Sequence, residues 1–163
     1  MPWDRVTIFF GDERCVPPES PESNYRMAAE TLLDRVTMGA VHRIAGEQGA
    51  EAAAAAYAPL VAAAPLDLVL LGIGPDGHTA SLFPGNPALA ATGHVTPVHD
   101  APKPPPDRVS LTLRALREAR RVVILVAGAD KREAVGLARH GQVPAGLIDQ
   151  AEWLVTRDAA PPI

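Results

Sequence analysis

Leu66-Asp67-Leu68-Val69-Leu70-Leu71-Gly72-Ile73-Gly74-Pro75-Asp76-Gly77-His78-Thr79-Ala80-Ser81-Leu82-Phe83-Pro84 joins a short apolar run to a glycine-rich, charged turn. An apolar run of this length that stops at glycine reads as a strand buried on both faces of a parallel sheet. The glycines permit a tight turn that presents backbone N–H groups, Asp76 and His78 at the strand's end. In open α/β sheets, ligands bind beyond that carboxyl edge.

Working outward, the same pattern recurs. Val6 to Phe10 is a second β-favouring run that stops at Gly11 and is followed by Asp12-Glu13-Arg14. Ser23 is suited to cap a helix on which Tyr25, Ala28, Leu32 and Val36 repeat at helical spacing. The alanine-rich stretch from Ala50 to Ala63 predicts another helix, weakened at Pro59. Seven prolines between Pro84 and Pro106 disfavour helix and predict an irregular excursion. Strand Val109 to Leu113, helix Ala115 to Arg121, strand Val122 to Ala127 and helix Lys131 to Arg139 follow. Alternating strands and helices imply a three-layer α/β/α arrangement around a mostly parallel sheet. With no repeat and no dividing linker, residues 1–163 are expected to form a single domain.

Composition narrows the function. The 163 residues are 47% apolar and 21% charged, enough for a core, and the net charge of -4 favours neither nucleic acid nor an acidic membrane surface as partner. No apolar run approaches the roughly 20 residues that span a bilayer. A soluble, cytoplasmic protein acting on a small molecule is expected, in an oligomeric state that the residues do not specify.

Three charged segments follow apolar runs: Gly11 to Arg14, Gly72 to His78, and Gly128 to Lys131. One convergent pocket is the economical expectation. The spaced glycines of Gly72 to Gly77 satisfy the dinucleotide pattern, but Pro84 and Pro87 interrupt the long helix that such a site needs. His78, two residues from Asp76, could serve as a general base, since imidazole with an ordinary pKa near ~6.5 accepts a proton at neutral pH. The competing reading is a histidine that merely caps a turn. His42, His94, His99 and His140 show no metal-ligand spacing, and no metal site is expected. Arg14 could hold an anionic or carbonyl oxygen bidentately, or belong to an ion-pair cluster satisfied within itself. Lys131 opens a helix whose N-terminus already favours anions, or is a solvated surface lysine. Cys15, the single cysteine, has no evident partner and reads as structural.

Phe9-Phe10-Gly11-Asp12-Glu13-Arg14, Ser23-Asn24-Tyr25-Arg26 and Leu71-Gly72-Ile73-Gly74-Pro75-Asp76-Gly77-His78-Thr79-Ala80-Ser81-Leu82-Phe83-Pro84-Gly85 together resemble the 6-phosphogluconolactonase family. Arg108 to Leu113, the Gly128 to Lys131 turn and Glu152-Trp153-Leu154-Val155 add to the match. The resemblance implies a Rossmann-like sheet of the sugar-phosphate isomerase and lactonase type. It also implies hydrolysis of 6-phospho-D-glucono-1,5-lactone, without a cofactor, in the oxidative pentose phosphate pathway. By the same resemblance His78 activates water, Asp76 orients it, Arg14 steadies the lactone or its oxyanion, and Lys131 meets the phosphate. Asn24, Asp12, Glu13, Gly74 and Gly77 are implied as further pocket residues.

The related glucosamine-6-phosphate deaminase or isomerase group is the alternative. Its members carry tyrosine where this chain has Arg14, and a different run after Asp-Gly-His. Members of the lactonase family begin with a strand, a helix and a phosphate-holding Ser-Gly-Gly-Ser-type loop, so the resemblance implies an N-terminal truncation that removes the first βα portion. An inactive module of the same fold is therefore the second alternative.

Overall fold

Alternating apolar and capping segments settle into eight strands and four α-helices among the described residues, 1–63 and 65–162 of a computed structural model. In chain order these are β1 (Thr7–Phe9), β2 (Asp12–Arg14), α1 (Asn24–Thr31), β3 (Ala40–His42), α2 (Ala50–Ala63), β4 (Val69–Leu71), β5 (Val95–Val98), β6 (Arg108–Leu111), α3 (Leu113–Glu118), β7 (Val122–Val126), α4 (Arg132–Arg139) and β8 (Glu152–Val155). Short 3-10 turns connect several of them.

The strands pair in three sets. β1 runs parallel to β3, with Thr7 opposite Ala40, and β4, β7 and β8 form a parallel set with Leu71 opposite Ile124 and Val126 opposite Val155. β2, β6 and β5 form an antiparallel set in which Asp12 faces Ser110. The parallel sets and their helices make the expected α/β architecture.

Local chemistry explains where elements begin. The Ser23 hydroxyl accepts the Arg26 N–H at the start of α1, and Thr112 accepts the Ala115 N–H at the start of α3. Thr112 therefore ends β6 at Leu111, two residues earlier than the apolar pattern suggests. Pro59 lies inside α2, which nevertheless spans the predicted residues because Ala53, Tyr57 and Val61 bury one face. That helix packs on β5 and β6. Tyr57 ties it to the parallel strands: its hydroxyl accepts the Phe10 N–H at 2.7 Å and donates toward the Phe10 and His42 carbonyls, both at 3.2 Å. Burial pushes its phenol pKa up, only partly opposed by the bond to Phe10.

The remaining corrections are of length and partner. The predicted strand from Leu66 pairs only over Val69–Leu71, and the proline-rich excursion contains strand β5 despite Pro97. Asp12-Glu13-Arg14, the charged segment that follows the first apolar run, is itself the edge strand β2, paired on one side only among the described residues. Lys131 closes a 3-10 turn and α4 starts at Arg132.

Buried apolar side chains form one contiguous cluster that includes Leu82, Phe83, Val109, Leu111, Leu116, Val122 and Ile124. Alternation along the β4-β7-β8 set sends Leu71 and Ile124 into it and leaves Leu70, Leu125 and Leu154 exposed on the other face. No helix among the described residues is long and apolar enough to cross a membrane.

Candidate active site

The carboxyl ends of β4 and β7 and the edge strand β2 surround a cleft of about 380 Å³. It is lined from all three charged segments: Gly11, Asp12 and Arg14; Gly72 to Pro75 with His78; and Lys131. Asn24 from α1 joins them, as do Lys103 and Arg108, which the sequence reading did not place in the site.

The turn after β4 is built around two glycines. Gly77 has φ +83, a region that costs little only for glycine, and a side chain there would strike Val143. The Gly77 N–H donates to the Gly74 carbonyl and the Gly74 N–H to the His78 carbonyl, both at 2.9 Å. A Cβ on Gly74 would lie 2.1 Å from the His78 ring and 2.6 Å from the Asp76 carboxylate. Gly74 is therefore the floor on which the two side chains rest. His78 Nδ1 and Asp76 Oδ1 are 2.5 Å apart, and the ring packs on Phe83 with centroids 4.6 Å apart. Burial pushes the Asp76 carboxyl up, but the hydrogen bonds and charge from His78 outweigh it and leave its pKa below the usual value.

On the opposite wall, the two-residue period of β2 divides its side chains between faces. Asp12 and Arg14 line the cleft; Glu13 does not. Glu13 is 2% exposed, and its carboxylate accepts the N–H groups of Arg14, Asn24 and Tyr25 and the Ser23 hydroxyl. Glu13, expected among the pocket residues, is placed away from the cleft lining and anchors the start of α1, where a carboxylate suits the helix N-terminus. Gly77 likewise shapes the turn without lining the cleft. Asp76 reaches it through His78.

Asn24 connects the other two groups on this wall, its Nδ2 donating to the Asp12 carbonyl at 2.9 Å and to its carboxylate at 3.1 Å, while its Oδ1 accepts from Arg14 Nη1 at 2.7 Å. The same Nη1 also donates to the Glu22 carbonyl, and Arg14 Nε is buried with no hydrogen-bond partner among the described residues. Burial pushes the Asp12 carboxyl up; the 2.6 Å hydrogen bond from Ser81 and the charges of Arg14 and Arg108 oppose this without cancelling it. Lys131 Nζ pairs with Asp130 at 2.6 Å. Among the described residues no group of three or more His, Cys, Asp or Glu side chains is placed to hold a metal ion.

A signal for Lys103 did exist in the sequence. It and Lys131 are the only lysines in the chain, and both line this cleft. Arg108 had appeared only as part of a strand.

An imidazole steered by a carboxylate at the carboxyl edge of a parallel sheet, in a cleft walled by Arg14, Lys103, Arg108 and Lys131, is the arrangement of an α/β enzyme for a small anionic substrate. The chain belongs to the family described as glucosamine-6-phosphate isomerases/6-phosphogluconolactonase, whose sequence model matches residues 1–156. It is 44% identical to the 6-phosphogluconolactonase of Streptomyces coelicolor, over 97% of this chain and 69% of that protein. It is 42% identical to the 6-phosphogluconolactonase of Mycobacterium tuberculosis, over 97% and 73% respectively. The crystal structure of 6-phosphogluconolactonase from Thermotoga maritima superposes with a TM-score of 0.88 at 32% identity, covering 95% of this chain and 74% of that one. A monomeric glucosamine-6-phosphate deaminase, at 20% identity and a TM-score of 0.75, shares the fold.

Proposed function

We propose that this protein hydrolyses 6-phospho-D-glucono-1,5-lactone to 6-phosphogluconate in the cytoplasm, as a carboxylic ester hydrolase of the pentose phosphate pathway. The observation that carries the reading is the Asp76–His78 pair at the end of β4. With Nδ1–H donating to Asp76, Nε2 is the nitrogen left to take a proton from water. The water oxygen bonds to the lactone carbonyl carbon, its proton passes to Nε2, and Asp76 stabilises the imidazolium that results. Collapse of the tetrahedral intermediate breaks the ring carbon–oxygen bond, and the imidazolium returns its proton to the departing alkoxide. Arg14, whose fork is fixed by Asn24 and Glu22, faces the oxyanion; Lys131 serves the phosphate.

The deaminase alternative is separated by product. Lactone hydrolysis releases one proton per turnover and no ammonia, whereas glucosamine 6-phosphate would give ammonia. His78→Ala should cost about 100- to 10,000-fold in kcat for the lactone, the usual range for a positioned acid–base group. Turnover within a few-fold of the unsubstituted protein would sink the assignment of His78 as the base.

A further inference from the structure

Ser81 is fully buried and does not line the cleft, yet its hydroxyl donates to a residue that does. Its Oγ donates to the Asp12 carboxylate at 2.6 Å, and its N–H donates to the Ser110 hydroxyl of β6 at 3.1 Å. Ser110 stands opposite Asp12 in the pairing of β2 with β6, and its own hydroxyl donates to the Leu111 carbonyl, so the sheet fixes the seat of Ser81. Two residues earlier, Thr79 Oγ1 donates to the Gly72 carbonyl at 2.9 Å, just past the end of β4. Between them Ala80 has φ +48, a left-handed conformation that is costly for a residue with a Cβ. That reversal sends the two hydroxyls to different strands.

From Ser81 the hydrogen bonds continue along the wall of the cleft. Asp12 accepts from Ser81 on Oδ2 and from Asn24 Nδ2 on Oδ1. Asn24 has only its amide N–H groups to offer Asp12, because its Oδ1 accepts from Arg14 Nη1 at 2.7 Å. Both side-chain neighbours therefore point donors at Asp12, which suits the ionised carboxylate, a group that only accepts. Burial favours the neutral acid, and the Ser81 hydrogen bond leads the groups that oppose it, ahead of the charges of Arg14 and Arg108. The series Ser81, Asp12, Asn24, Arg14 thus begins three residues after His78 in the chain and ends on the guanidinium of the opposite wall.

We propose that Ser81 is a positioning residue, which holds Asp12 and, through Asn24, sets the direction of the Arg14 fork against His78. Because Ser81 does not line the cleft, it acts on a bound lactone only through these partners. Its bond to a carboxylate is charge-assisted and therefore strong, and without it one oxygen of Asp12 is free to turn and take Asn24 with it. A donor to an oxyanion works by standing in place before the charge develops, so a change in the aim of Arg14 is felt in turnover more than in ground-state binding. The proposal rests on the lactonase reading given above for the task of Arg14.

The test pairs steady-state hydrolysis of the phosphorylated lactone with NMR of the nitrogen-labelled full chain, following solvent exchange of the Arg14 Nε–H, a signal identified by its loss in Arg14→Lys. That nitrogen is buried without a partner among the described residues, so its exchange reports how firmly the fork is held. Ser81→Ala should lower kcat about tenfold, with KM changed less than about threefold, and speed the exchange about tenfold, as loss of one hydrogen bond to a charged group would. In an Asn24→Ala background, where the series is already cut, the same substitution should cost no more than about twofold in kcat. Losses that multiply in full, a Ser81→Ala kcat within about twofold of the unsubstituted protein, or a loss confined to KM each overturn the positioning role, and so does unchanged Arg14 exchange. If the alanine variant fails to fold, as judged by circular dichroism, Ser81→Cys, close in volume but a weak donor, carries the same comparisons. An unsubstituted protein that hydrolyses no lactone defeats the lactonase reading alone, because the exchange measurement needs no substrate: faster exchange in the Ser81 variant upholds its hold on Arg14, and unchanged exchange overturns it.

Discussion

Gly74 shows how a residue without a side chain can control chemistry. Its absent Cβ is the space occupied by the His78 ring and the Asp76 carboxylate. Gly74→Ala should therefore lower kcat by at least about tenfold by displacing the imidazole, with a much smaller effect on the thermal midpoint, because the ring is a movable side chain at the edge of the core. Kinetics and a thermal melt on one preparation check this; unchanged kcat would mean that the ring tolerates the shift. Glu13 makes the converse case, a charged residue beside the site that serves the fold. Glu13→Ala would leave its buried N–H donors without an acceptor, so a loss of about 1–3 kcal/mol in urea unfolding is expected. Arg14 carries a related cost in its unpartnered buried Nε, a departure of the kind that native structures tolerate mainly where a side chain has other work.

At the scale of elements, the glycine-ended strands and α2 were legible because each depends on local chemistry: apolar runs that end in glycine, and alanines in helical register. What remained hidden depends on partners distant in sequence. β3 and β5 are three and four residues long, and Pro97 argues against a strand in β5 unless its position relative to the neighbouring strand is known. Of the site, the Asp76–His78 turn could be read directly. The separation of Asp12 and Arg14 from Glu13 could have been read from strand alternation, but only had β2 been recognised as a strand. The rarity of lysine singles out Lys103, but its position in the cleft depends on Arg108, which reaches back over three carbonyls.

One inter-element contact gives a pH prediction. His99, just after β5, bonds Asp107 through Nδ1 at 2.7 Å and Glu51 of α2 through Nε2 at 2.8 Å. Those bonds, to Asp107 first and Glu51 second, raise the His99 pKa above its ordinary 6.5. A raised folded-state pKa means that its contribution is fully present below about pH 6.5, where the unfolded chain also holds the proton, and is lost as pH rises through the folded value. The stability difference between the protein and His99→Ala should therefore shrink between about pH 6 and pH 8. Urea titrations at both pH values would show it, and a difference that grew with pH would reverse the assignment.

Across the whole molecule, burial is uneven. The β4-β7-β8 set is packed on one face, whereas Leu125 and Leu154 on the other are 48% and 60% exposed. Because these leucines bury little area in this chain, Leu125→Gln with Leu154→Gln should shift stability by no more than about 1 kcal/mol. The same pair should visibly reduce fluorescence from a dye that binds exposed apolar surface. A large stability loss would show that this face is covered in solution.

The scarcity of lysine has a practical consequence. Apart from the terminal amine, an acylating reagent finds only Lys103 and Lys131, and both line the cleft. Peptide mapping after mild acetylation would thus read out occupancy of the site directly: bound 6-phosphogluconate should shield both positions, with no engineered probe and almost no background from the rest of the surface, whose positive charge is carried by arginine.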